Sequence, residues 1–116
     1  MSYKTVDAEF VLEHLGKLPL IDVRPANMYA AGHIPGAKSV PLGPIEEQGG
    51  DVAAELATQV QEAGVGPHDE VIVYCQGGIT AKRACDDLES AGYTNLDYYK
   101  GSFGDWSSDP SRPVEK

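Results

Sequence analysis

The chain of 116 residues is poor in cysteine, with two, and in cationic side chains, with nine Lys and Arg against eighteen Asp and Glu. Each scarcity excludes something. Cys75 and Cys85 lie ten positions apart with no histidine close to either in sequence, so there is neither a disulfide framework nor a zinc-ligand spacing. His14 falls in a helical stretch and His68 in a loop, and neither suggests a ligand set; no metal is expected. Both cysteines read as reduced thiols of a cytoplasmic protein. A formal net charge of −9 sets up a field that repels phosphate backbones and anionic lipid, which makes nucleic acid and membrane poor partners. No apolar run approaches the roughly 18 residues of a membrane span, and the opening "MSYKTVDAEF" lacks the charged-then-apolar pattern of a signal.

At this length folding buries roughly two-thirds of the unfolded chain's surface, enough for one continuous core. With no repeat, low-complexity tract or long linker, residues 1–116 form one domain, and the initiator methionine favours a free-standing product. Asp7 is placed to cap a helix carrying Phe10, Val11, Leu12 and Leu15, which Gly16 stops. "LPLIDV" reads as a buried strand ending near Val23, and "PANMYAA" as a short helix closed by Gly32. "AKSVPL" is a short strand and "GPIEEQGG" a loop. Val52, Leu56, Val60 and Ala63 share one face of a helix from Asp51 to Ala63, ended by Gly64. "EVIVY" is the most apolar strand; a helix with Ala81, Ala84, Cys85 and Leu88 on one face follows, and "NLDYY" is the last strand. Strands separated by helices predict a parallel sheet covered on both faces, an α/β sandwich. Ligands of such sheets bind beyond the carboxyl ends of strands, where Cys75 falls.

The stretch "CQGGIT", Cys75 to Thr80, joins that strand to that helix. Gly77 and Gly78 let the backbone curl with its N–H groups inward, and the helix start adds unpaired donors and about half a positive charge. The N–H groups of Gln76, Gly77, Gly78, Ile79 and Thr80 are the candidate cradle for a thiolate or an oxyanion. The Thr80 hydroxyl is available to cap the helix or bond the sulfur. A thiol so placed is expected to be ionised and nucleophilic. The pattern alone also allows a small hydrophobe at a strand end followed by a turn, because cysteine is among the most buried residue types.

Three motifs decide between these readings. "LIDVRPANMYAAGHIPGAKSVPL", residues 20–42, "VIVYCQGGITA", and "YYKGSFGDW", ending at Trp106, stand in order at domain-scale spacing. Together they resemble the rhodanese-homology domain, a sulfurtransferase module, over about residues 5–114. The resemblance implies a three-layer sandwich with a central five-stranded parallel sheet. It implies that Cys75 accepts a sulfane sulfur from thiosulfate, 3-mercaptopyruvate or a persulfide. The resulting Cys75 persulfide then passes the sulfur to cyanide or to a thiol such as thioredoxin or a low-molecular-weight thiol, without a cofactor. A monomer or weak dimer is expected.

"CQGGITA" and "GSFGDWSSDPSRPVE" are similar to the catalytic half of tandem thiosulfate and mercaptopyruvate sulfurtransferases. Thiosulfate enzymes of that group carry cations directly after the cysteine and mercaptopyruvate enzymes commonly Gly-Ser; this chain has Gln76 and Gly77. Where the tandem enzymes place a substrate arginine before the aromatic residue, Met28 precedes Tyr29. Fewer fixed cations weaken the hold on a dianion, which favours a persulfide or mercaptopyruvate over thiosulfate. Lys82 and Arg83 either restore some positive potential or form a solvated helical turn.

Of the remaining candidates, Asp22 and Arg24 are expected to pair at a strand end, with substrate contact by Arg24 as the alternative. His33 is expected to order its loop through a ring hydrogen bond, Trp106 to fix the last loop, and Cys85 to pack, with a resolving thiol as its alternative. A cysteine phosphatase needs Cys-x5-Arg, and the arginine position is Ala81. A non-turnover sulfur carrier or regulatory module shares the first step and stays open.

Overall fold

The computed structural model describes residues 3–116. Among them, β1 (Lys4–Val6), β2 (Leu20–Asp22), β3 (Lys38–Ser39), β4 (Val71–Tyr74) and β5 (Leu96–Tyr99) form one sheet ordered β1-β5-β4-β2-β3. Every pairing is parallel. The helices are α1 (Ala8–Glu13), α2 (Ala26–Ala31), α3 (Leu42–Gln48), α4 (Val52–Glu62), α5 (Ile79–Ser90) and α6 (Ser102–Trp106).

The central strand explains the layering. All four residues of β4 are fully buried, as a strand covered on both faces requires. Val71 and Val73 pack with Leu56 and Val60 of α4 and with Ala81, Ala84, Cys85 and Leu88 of α5. Ile72 and Tyr74 point the other way, to Val11 of α1 and Trp106 of α6. Two cores therefore sandwich the sheet, and β4 ends between them with Cys75.

The helix starts follow simple capping chemistry. Asp7 accepts the Phe10 N–H at 2.9 Å and Asp51 the Ala54 N–H at 3.1 Å, each satisfying a first-turn donor that the helix leaves open. Three elements depart from the sequence reading. The stretch read as the loop "GPIEEQGG" forms most of α3: Pro44 sits in the first turn, where its missing N–H costs nothing, and Leu42 and Ile45 are buried three apart. The strand β1, three residues long, is too short to show an alternating pattern, and α6 grows from the glycine-to-tryptophan motif.

One buried group bears on stability. Asp97 of β5 is fully buried with neither carboxyl oxygen hydrogen-bonded, and the Lys4 ammonium approaches only to 3.7 Å. Burial, and then the neighbouring Glu70, push its carboxyl up to about 7. The fold therefore prefers the protonated form. The stability that this preference contributes is complete below the ordinary aspartate range and is lost as pH rises toward 7. Asp97→Asn should melt with the parent near pH 4 and above it at pH 8, which thermal scans at the two pH values measure.

Candidate active site

The strand β4 delivers Cys75 to the carboxyl edge of the sheet, where its side chain is almost fully buried. Its Sγ accepts the Gly78 N–H at 3.0 Å and the Ala81 N–H at 3.2 Å. The N–H groups of Gln76, Gly77, Ile79 and Thr80 make no hydrogen bond to Sγ; the side chains of Gln76, Ile79 and Thr80, with Gly77, line the mouth of a cavity of about 300 Å3 above the sulfur. The N-cap of α5 is Gly78 with no side-chain cap, so the Thr80 hydroxyl does not cap the helix.

A second loop turns the amides. The N–H groups of Phe103 and Gly104, at the start of α6, donate to the carbonyls of Cys75 at 2.8 Å and Gln76 at 2.9 Å. Because N–H and C=O of a trans peptide point in opposite directions, the next amides, of Gln76 and Gly77, face away from α6. The buried Ser102 completes the grip: its Oγ accepts the Cys75 N–H at 3.0 Å, donates to the Tyr99 carbonyl at 2.9 Å, and lies 3.7 Å from Sγ. Ser102, at φ 60°, is the one non-glycine residue with positive φ among the described residues. Its only trace in the sequence is the Gly-Ser pair after a strand, 27 positions from the cysteine.

The two loop glycines are not equivalent. Gly78 has φ +102°, and a Cβ there would meet the Lys100 carbonyl at 2.3 Å and the Tyr98 hydroxyl at 3.2 Å. Burial and the nearby Cys75 push the Tyr98 phenol upward, so it stays protonated and donates to the Gly78 carbonyl at 2.8 Å. A Cβ on Gly77 meets nothing within 4 Å. Gly78→Ala should therefore cost about 2–3 kcal/mol, from strain and overpacking, and Gly77→Ala within about 0.5 kcal/mol. Urea denaturation of the two variants measures the difference.

Arg24 borders the same cavity but is heavily engaged. Its Nε lies 3.1 Å from both oxygens of the fully buried Asp22, and its Nη2 donates to Asp22 Oδ2 at 2.7 Å and to the Gly32 carbonyl at 2.6 Å. Nη1 donates to Gln76 Oε1 at 3.2 Å, and the guanidinium lies 4.3 Å from the centre of the Phe103 ring. The pair thus ties the end of β2 to the cysteine loop while leaving Arg24 on the cavity wall.

The other candidates take structural positions. The His33 ring stacks on Tyr29 at 3.9 Å with Nδ1 3.0 Å from the Tyr29 carbonyl, and its backbone pairs with Glu115. Trp106 is fully buried and donates through Nε1 to the Pro113 carbonyl at 2.8 Å. Cys85 is fully buried in the α5 core, and burial pushes its thiol up to about 12. Arg83 is held by Glu46 at 2.9 Å, and Lys82 lies 3.9 Å from Asp86. His14 bonds back to the Phe10 carbonyl at 2.7 Å.

With this geometry in hand, comparisons with known proteins are specific. The family model described as "Rhodanese-like domain" matches residues 7–109. A putative thiosulfate sulfurtransferase, SseB, of Mycobacterium tuberculosis is 36% identical over 95 residues, which are 80% of this chain and 33% of that protein. A probable 3-mercaptopyruvate sulfurtransferase of Pseudomonas aeruginosa is 32% identical, over 94% of this chain and 43% of that protein. The chain thus spans less than half the length of these two relatives. Among solved structures, the human single-domain sulfurtransferase TSTD1 is similar with a TM-score of 0.71 and 29% identity, over 90% of this chain and 96% of that one.

Proposed function

The chain belongs to the rhodanese-like domain family, and from that membership and the cysteine site we propose that it is a sulfurtransferase working through a persulfide on Cys75. The observation that carries the reading is the pair of main-chain N–H groups, from Gly78 and Ala81, aimed at one buried sulfur. Such donors favour a negative sulfur in a site from which water is largely excluded.

In the first half-reaction the Cys75 sulfur attacks the donor's transferable sulfur. This is the sulfane sulfur of thiosulfate or a persulfide and the thiol sulfur of 3-mercaptopyruvate, whose carbon fragment leaves as the pyruvate enolate. A new S–S bond forms, and the bond holding the sulfur to the donor breaks with its electron pair staying on the donor fragment. In the second, a thiolate or cyanide attacks the outer sulfur, and the S–S electron pair returns to Sγ. No oxidant or reductant is consumed. The amides of Gln76 and Gly77, turned away from α6, are suited to the outer sulfur of the persulfide.

The charge distribution favours a persulfide or 3-mercaptopyruvate as donor. Arg24 is neutralised by Asp22, and the two cations after the loop are engaged by Glu46 and Asp86. Of the residues that line the mouth itself only Arg24 is cationic, and its charge is met by Asp22. A matrix of donors (thiosulfate, 3-mercaptopyruvate, glutathione persulfide) against acceptors (cyanide, reduced thioredoxin) tests the proposal. Parallel double-reciprocal lines and a kcat/KM for thiosulfate at least about tenfold below the best donor are expected. Inactivity with every donor would assign the chain to a non-turnover binding role.

A further inference from the structure

A second hollow, of about 530 Å3, opens on the far side of the Gly78–Ile79 backbone from Cys75, lined by Tyr3, Thr5, Ile79, Lys82, Tyr98 and Lys100. Ile79 belongs to both, since it also lines the Cys75 cavity. At 76% exposure it is the most exposed large apolar side chain among the described residues. A lone exposed apolar residue is ordinary. This one lines both the cavity over the reactive sulfur and the groove.

The groove combines aromatic rings with lysines. Its floor is aromatic, with Tyr3 and Tyr98 edge to face at 6.0 Å. On its rim Lys82 lies 3.2 Å from the Tyr3 hydroxyl and 3.9 Å from Asp86, so its charge is partly met. Lys100 is exposed and forms no ion pair or hydrogen bond through its ammonium among the described residues. In a chain with nine basic and eighteen acidic side chains, the groove sets Lys82 and Lys100 against Asp86, which accepts the Tyr3 hydroxyl at 2.8 Å.

We propose that this groove docks the segment around the reactive cysteine of an acceptor protein, a segment carrying acidic residues for Lys100 and an apolar side chain for Ile79 and the tyrosine rings. The inference rests on the sulfurtransferase reading. Two hollows on opposite sides of one backbone ridge suit an extended polypeptide, which spans both, better than a small thiol, which occupies one. During transfer the docked thiolate, its proton already released to solvent, attacks the outer sulfur of the Cys75 persulfide. The acceptor gains the S–S bond, and the old bond's electron pair returns to Cys75. An aromatic and apolar centre with a polar rim is the anatomy of a protein interface, and a rim cation steers encounter over about a Debye length of 8–10 Å.

The test uses the full chain and three peptides of equal length in which cysteine and leucine are flanked by glutamate, glutamine or lysine, with glutathione and cyanide alongside. The glutamate peptide should lead the lysine peptide by about tenfold in kcat/KM, and salt at about 0.5 M should erase the lead. Lys100→Glu should invert the order and Lys100→Ala flatten it, with cyanide turnover unchanged within about twofold. Equal rates for the three peptides, or a glutathione rate that falls in Lys100→Glu as far as the glutamate peptide's, would overturn the docking proposal while cyanide turnover persisted. Absence of cyanide turnover with every donor would remove the sulfurtransferase reading, and this proposal with it.

Discussion

Cys75→Ser should lower sulfur transfer at least about a thousandfold with every donor, because no other group in the site is available as the nucleophile. Serine keeps the shape of the side chain and accepts the same Gly78 and Ala81 amides, so the fold should survive. An alcohol at neutral pH is neither ionised nor able to hold a sulfane sulfur, so the first half-reaction stops. Steady-state assays on the folded variant measure the loss. Cys85→Ser is the matched control: that thiol is fully buried and kept protonated by burial, so its removal should lower stability modestly and leave transfer in place.

Asp22→Ala should cost about 3–5 kcal/mol, the largest stability effect of any single change considered, because it leaves the Arg24 guanidinium buried without its counter-ion. Arg24 is 3% exposed, so its charge is largely withheld from water and depends on Asp22. Against a total stability of about 5–15 kcal/mol, that loss brings the domain near unfolding. A buried ion pair is a poor source of net stability when both partners are replaced together, so Asp22→Ala combined with Arg24→Met should recover much of it. Urea titrations of the single and double variants measure the difference. The Gln76 contact disappears with Arg24, so the double variant also reports how far that link shapes the mouth.

What was legible in the sequence was local. The stripe of Ala81, Ala84, Cys85 and Leu88 is buried as its helical spacing requires, and Asp7 caps the helix it precedes. The cysteine's place past the most apolar strand followed from the same kind of pattern. What escaped depends on contacts distant in sequence. Gly77 and Gly78 read alike, yet only Gly78 faces the Lys100 carbonyl, which a different loop supplies. The role of Ser102 arises across 27 positions, from a turn at the start of α6, and no periodicity encodes it. The donor at Ala81 lies one residue past the loop as read and joins the site because α5 begins at Ile79. The helix α3 was hidden by Gly43 and Pro44, which signal a loop by composition but are tolerated in a first turn.

The most direct measurement is the mass of the intact chain, and of its Cys75 peptide, after incubation with 3-mercaptopyruvate or glutathione persulfide. One added sulfur atom on the Cys75 peptide, absent from Cys75→Ser and retained in Cys85→Ser, is the predicted result. Sulfur found on Cys85, or on neither cysteine with any donor, would contradict the assignment of the amide-lined loop as the seat of transfer.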